Sequence, residues 1–506
     1  MIDRTTRRAA TPKIPRAGGA RRALALPGHA EDRARLALHR MERSLVRSRL
    51  ARPDLLPEAD YQNLRYAIGL ARLGRFRPFN QRGGAEIDVD LSVVLPLRDW
   101  LLNHLHDPLR LPSPVEDKLA LAREAADMAR LLATEARAAL LASHDKDFDA
   151  EALDREAGRR ALVVVAGGGG GGGYVYAGAF ACLAEAGLVP DYIVGNSMGA
   201  ILGLMRAQHR NADFDEQIEF AAGLKKSDIY SAARRRRSEF CLGGLLYLHL
   251  TALHQRLSTG DLRRPMRLDE LDIPLDVVVA GLKRHSYERL APEIQAGEAR
   301  AARLLPLPVR IASRLTRILQ FFRSDMVMPI VLGRDAATRQ LHAVDAAGFS
   351  AAVPSILQYE PGARAGATRE ILSELMARHE LAALVDGGVA DNVPTRAAWR
   401  GVAAGRAGGT RNGYYLAFDC FLPHLDPKNL WLWPITQTVQ RQMRINRVYA
   451  DTMVRFRRTL SPTNLVPGRA GLELAVEWGR QTMQENLPEV RAMLAPAALG
   501  GAAGPR

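Results

Sequence analysis

Two hydrophobic rhythms divide the chain. Through its middle, short apolar runs recur at 162–165, 192–194, 275–279, 326–332, 341–344, 381–385 and 414–418. Runs this short, rich in Val, Leu and Ile, read as buried strands. Helix-length segments stand between several of them, such as 174–186, which Gly187 is placed to stop, and 200–205. Strands alternating with helices predict an α/β fold: a mainly parallel sheet with helices on both faces. In such sheets the ligand sits at the carboxyl ends of the strands.

Before residue 155 the period changes. Apolar positions recur at helical spacing over 31–50, 64–73, 91–105 and 113–141. Ser113-Pro114-Val115-Glu116 offers a helix start, with Ser as N-cap, Pro first and Glu third. Pro96 should break or kink its segment. His104, His106 and Asp107 read as a helix end, since no fourth residue has ligand spacing. Far downstream, 436–458 reads as one long basic helix behind Trp431 and Trp433.

At 506 residues the chain exceeds one ordinary core. The patterns divide it into a disordered basic N-terminus (1–30), a helical accessory region (31–154), an α/β unit (155–494) and a disordered tail (495–506). The net charge is +15, and the first fifty residues hold 13 Arg and Lys against four Asp and Glu. Such a surface favours anionic partners. No nucleic-acid module is recognisable, which leaves acidic lipid headgroups as the better match. Two further stretches fit peripheral membrane contact: Arg234 to Arg237 ahead of apolar 242–248, and a basic-apolar helix from Val309 to Arg323. Solvated charge beside a core element is the competing reading of both. No run of eighteen apolar residues is present to span a bilayer. Cys182, Cys241 and Cys420 form neither a metal spacing nor a disulfide framework, as expected of a reducing, cytoplasmic setting.

The chemistry concentrates at three strand ends. After 162–165 come seven glycines, Gly167 to Gly173, directly ahead of a helix. A loop so placed can bring backbone N–H groups close to a substrate oxygen. After 192–194 comes Gly195-Asn196-Ser197-Met198-Gly199. A serine between strand and helix, with glycines two before and two after, fits a nucleophile elbow. After 381–385 comes Asp386-Gly387-Gly388, where Asp386 can serve as base for Ser197 and the glycines permit close approach. No Gly-Lys-Ser/Thr follows the glycine run, so it is no phosphate-binding P-loop.

These three pieces in this order resemble the patatin-like phospholipase family. So do Ile273-Pro274-Leu275-Asp276-Val277-Val278-Val279 and Ala351-Ala352-Val353-Pro354-Ser355. The resemblance runs from about Leu162 to about Phe418, with a weaker match to Leu494. It implies a lipid acyl hydrolase of the phospholipase A type with a Ser197–Asp386 dyad. It also implies an oxyanion loop of Gly168, Gly169, Gly170, Gly171, Gly172 and Gly173, supported by Gly195, Gly199, Gly387 and Gly388. No metal or cofactor is implied; the partner is a phospholipid or other acyl lipid. The chain departs from the family at Gly172, where an Arg or Lys is usual, at Asn196, and at Met198, where a small residue is usual. Gly172 and Met198 keep open a catalytically impaired lipid-binding scaffold; transacylation to an acceptor other than water is a variant of the main reading, and nucleic-acid binding through the basic N-terminus is the weaker third class.

Overall fold

A computed structural model describes residues 30–79, 85–232, 238–259, 264–288, 326–362, 365–422 and 433–500. Arg234 to Arg237, the 309–323 segment and Trp431 lie outside the described residues, as does the N-terminus before Ala30.

Five helices of nine residues or more come first among the described residues: α1 (Ala30–Ala51), α2 (Glu58–Ala71), α3 (Leu91–Leu101), α4 (Val115–Ser143) and α5 (Ala150–Gly158). Pro96 does not break α3, which runs through it and passes into a π-helical turn, Leu102–His106. The Asp90 side chain caps this helix by accepting from the Ser92 amide at 2.9 Å. Ser113 does not cap α4; its hydroxyl turns back to the carbonyls of Pro108 and Leu111.

Seven strands build the central sheet: β1 (Ala161–Ala166), β2 (Tyr192–Asn196), β3 (Leu275–Lys283), β4 (Val327–Leu332), β5 (Leu381–Asp386), β6 (Gly413–Asp419) and β7 (Thr452–Arg455). Their order is β4-β3-β2-β1-β6-β7, with β5 also on β3. The pairs β3–β2, β2–β1, β1–β6 and β6–β7 are parallel, while β4 and β5 run antiparallel to β3. The alternation expected of a strand with two buried faces is visible in β1. Leu162, Val164 and Ala166 join one apolar cluster with α6 (Val175–Glu185), α7 (Met198–Ala207) and α13 (Arg469–Leu494). Ala161, Val163 and Val165 join another with α11 (Thr395–Ala403) and α12 (Trp433–Asn446). Three more helices are α8 (Phe214–Gly223), α9 (Ala343–Ser350) and α10 (Gly366–Arg378).

Four further expectations fail. The run at 341–344 is not a strand: Ala343, Ala346 and Ala347 favour a helix, and α9 starts at Ala343 with His342 bonded to Asp345 at 3.0 Å. The long basic helix ends at Asn446, and Thr452–Arg455 becomes the edge strand β7 beside β6. The segment from 495 begins ordered: the Ala497 amide donates to Gly158 O and that of Gly500 to Asn63 Oδ1. The apolar stretch 242–248 is not a surface segment either. Leu242, Leu245 and Leu248 are buried, and Leu246–Leu248 is the middle strand of a small sheet with Tyr230–Ala232 and Leu357–Tyr359.

Candidate active site

The site originates in how β3 is shared. β4 occupies one edge of β3 from Val277 to Leu282. On the other edge β2 pairs up to Asn196 opposite Val278, and β5 pairs down to Asp386 opposite Val279. The two strands therefore approach head to head along one neighbour and stop one residue apart. Asp386 lies at the carboxyl end of its strand, as expected, but that strand runs against the parallel set. Both strand ends release their next residues at the same point, so Ser197 and Asp386 meet.

Ser197 has φ +51° and ψ −126°, a conformation that L-residues rarely adopt. It turns the chain from β2 into α7 within one residue, the geometry of a nucleophile elbow. Gly195 and Gly199 are needed for that turn. A Cβ on Gly199 would come within 2.2 Å of Ala166 O, and one on Gly195 within 2.6 Å of the Ala200 Cα. The Ser197 amide donates to Ser350 Oγ at 2.8 Å, and that hydroxyl donates to Val278 O at 2.6 Å. Helix α9 thus braces the elbow through a buried serine.

The Ser197 hydroxyl faces the Asp386 carboxylate closely enough to favour its charged form. Asp386 Oδ1 also accepts the Gly388 amide at 2.7 Å. Burial pushes the Asp386 carboxyl up to about 6, against the lowering effect of those two groups. No cation pairs with it among the described residues. Gly387 lets the chain leave β5 against β3, since a Cβ there would lie 2.1 Å from Val278 O. A Cβ on Gly388 would crowd Asp386 Oδ1 at 2.9 Å.

The glycine run is not uniform. Gly168 donates to Asn392 O, Gly171 to Pro462 O and Gly172 to Gly169 O. Gly173 packs under Met198, 2.6 Å from its Cγ to an ideal Cβ. Gly169 and Gly170 line the cavity above Ser197, and their amides have no acceptor among the described residues. The same holds for the amide of Met198 at the start of α7. Gly172 alone tolerates a Cβ, with nothing nearer than 3.4 Å.

Two residues missed by the sequence reading complete the frame. Asn196 Nδ2 donates to the carbonyls of Asp391 (2.9 Å) and Asn392 (3.1 Å), and Asn392 Nδ2 returns to Gly168 O at 3.3 Å. Asn392 and Ser350 thereby join elbow, glycine loop and the turn after Asp386. The only signal for Asn392 was its place six residues beyond Asp386; Ser350 gave none.

The cavity has a volume of about 370 Å³. Its floor is Ser197, Asp386 and the glycine loop. Its walls are apolar and come largely from α8 and the small sheet: Phe214, Ile218, Leu224, Leu246, Leu248 and Leu357. A polar reacting group below a dry wall suits a ligand that is apolar over most of its length.

Fold and site together define a mostly parallel α/β protein with a serine elbow facing a carboxylate at the base of an apolar cavity. Residues 163–399 match the family model described as Patatin-like phospholipase, and this part of the chain is a patatin-like phospholipase domain, of a lipid acyl hydrolase family. The match begins inside β1, takes in the loop, elbow and Asp386, and ends inside α11. No curated protein matches the chain. Among the described residues no helix is long and apolar enough to cross a membrane.

Proposed function

We propose that the chain is a phospholipase A-type hydrolase that cleaves ester bonds of membrane phospholipids or other acyl lipids. One observation carries this reading: the register on β3 brings the Ser197 elbow against the buried Asp386 carboxylate, which pairs with no cation among the described residues. An isolated buried carboxylate is a stronger base than an exposed one.

The acyl chain lies along the apolar wall and its carbonyl carbon sits over Ser197. Asp386 takes the hydroxyl proton as Ser197 Oγ attacks. The amides of Gly169, Gly170 and Met198 receive the oxyanion, aided by the amino end of α7. Collapse expels the lysolipid alkoxide, which takes the proton from Asp386 and leaves an acyl-enzyme. Water then gives a proton to Asp386 as it attacks the acyl carbonyl; the bond to Ser197 Oγ breaks, Ser197 Oγ takes the proton back from Asp386, and the fatty acid leaves. No metal or cofactor takes part. The positive chain is drawn to an anionic membrane surface to meet its substrate, in a reducing, cytoplasmic setting consistent with three buried free thiols.

The test is fatty-acid release from phospholipid vesicles by wild type and Ser197→Ala. Release by wild type alone supports the reading. Vesicle binding without release would favour a non-hydrolytic lipid-binding protein, and acyl transfer to an added lysolipid would favour a transacylase.

A further inference from the structure

A second cavity, about 360 Å³, opens on the helical region. Arg40, Arg43, Arg47, Arg110 and Lys118 line it. The first three stand on one face of α1, at spacings of three and four. Arg110 ends the short helix Asp107–Arg110, and Lys118 lies in the first turn of α4. Ser44, also in the wall, ties α1 to that short helix through a 2.6 Å bond to Leu109 O.

These cations are poorly compensated. Arg47 pairs with Glu489 at 2.9 Å, and Arg110 pairs with Asp107 at 3.4 Å. Arg43 donates to the carbonyls of Ala450 (3.0 Å) and Asp451 (2.8 Å), not to a carboxylate. The Asp451 carboxylate is engaged by Arg160 and His39. Arg40 and Lys118 have no partner among the described residues. Burial and the neighbouring Arg110 both hold Arg40 below its ordinary value. Five cations thus face three carboxylates in a concave space, Glu489, Asp107 and Asp451, the last already held by Arg160 and His39. Holding like charges together costs stability unless an anion fills the site, and converging guanidinium groups are the chemistry that grips phosphate oxygens.

We propose that this cavity binds a phosphate-bearing anion, at a site separate from the lipid cavity. Arg43 reaches the chain just before β7, level with Tyr415 near the amino end of β6. Ser197 lies beyond the carboxyl end of β2. The two cavities therefore lie toward opposite ends of the sheet. A bilayer presenting lipid to Ser197 does not reach the basic cavity, which favours a soluble phosphate compound over a headgroup.

The test is calorimetric titration of the full chain with inorganic pyrophosphate, alongside flotation with phosphatidylcholine vesicles containing phosphatidic acid. The variant Arg40→Gln with Lys118→Gln removes the two unpaired cations. Arg33→Gln with Arg123→Gln removes equal charge from exposed helix positions elsewhere. Wild type and the control variant should bind pyrophosphate alike, and the cavity variant about tenfold more weakly or worse, with a thermal melt no lower than that of wild type without ligand. Flotation unaffected by the cavity variant assigns a soluble ligand; flotation lost in that variant and competed by pyrophosphate assigns a headgroup. No binding by wild type, or equal binding by cavity and control variants, overturns the proposal.

Discussion

Toward its two ends the central sheet buries carboxylates in opposite ways. Toward the amino ends of its strands, Glu42 meets Arg65 at 3.2 Å, Arg72 at 2.5 Å and Arg160 at 3.5 Å, and Asp451 meets Arg160 at 3.2 Å. Burial alone would raise the Glu42 carboxyl, but Arg72, Arg160 and Arg65 outweigh it and hold it at about 2. Burial opposes ionisation of Asp451 too, and Arg160 and His39 overrule it. At the other end Asp386 is also buried, and among the described residues only a hydroxyl and an amide favour its charge, so burial prevails. Enclosure is common to both; the neighbours decide whether a carboxylate becomes a fixed ionic clamp or a group able to exchange a proton. The clamp joins α1 and α2 to the sheet, and the unpaired carboxylate is left where Ser197 needs a base.

Substitutions at the two ends should separate these roles. The largest effect is on turnover: Ser197→Ala should lower fatty-acid release by about 10³-fold or more. Asp386→Asn should lower it by about 10²- to 10⁴-fold, with vesicle binding unchanged in both. At the other end, Arg160→Met leaves Glu42 and Asp451 short of a cation. Urea unfolding should show a loss of about 3–5 kcal/mol, larger as pH rises and both carboxylates ionise. Were Arg160→Met to cost turnover and not stability, the division of labour would be wrong.

The contrast also predicts a stability change of unusual sign. The Asp386 pKa is raised from 3.8 in the unfolded chain to about 6 in the fold. The folded protein therefore holds its proton more tightly, and ionising it costs stability progressively as pH climbs from the lower value through the higher. Asp386→Asn removes that cost. It should stabilise the protein by about 3 kcal/mol above pH ~7 and by nothing below pH ~3, as read by thermal melts across pH. The smallest effect is at Gly172. Its ideal Cβ meets only ordinary contacts, so Gly172→Ala should alter stability by no more than about 0.5 kcal/mol. Gly171→Ala, aimed 2.2 Å from Asn464 O, should unfold the loop.

Much of this was legible in the sequence, because short apolar runs ending in Gly, Ser or Asp mark buried strands and their exits. Six of the sheet strands, the elbow and Asp386 follow from that pattern alone. The direction of β5 does not, since a strand's residues look the same whichever way it pairs. That direction is what brings Asp386 to Ser197. β7 was hidden inside a basic helical pattern because an edge strand of four residues carries too little periodicity to register. Asn392 and Ser350 act through contacts made only in the folded chain. The arginines of α1 show only helical spacing in the sequence, and only tertiary packing shows that one row pairs with Glu489 and lines a cavity.

The most direct test is the pH dependence of Ser197 labelling by a fluorophosphonate, in wild type and in Asp386→Asn. The rate for wild type should rise with pH through a single midpoint near 6, the value to which burial pushes Asp386. Asp386→Asn should label slowly and without that midpoint. A wild-type rate that is flat between pH ~5 and ~8, or a variant that keeps the wild-type profile, would contradict the claim that Asp386 is the base for Ser197.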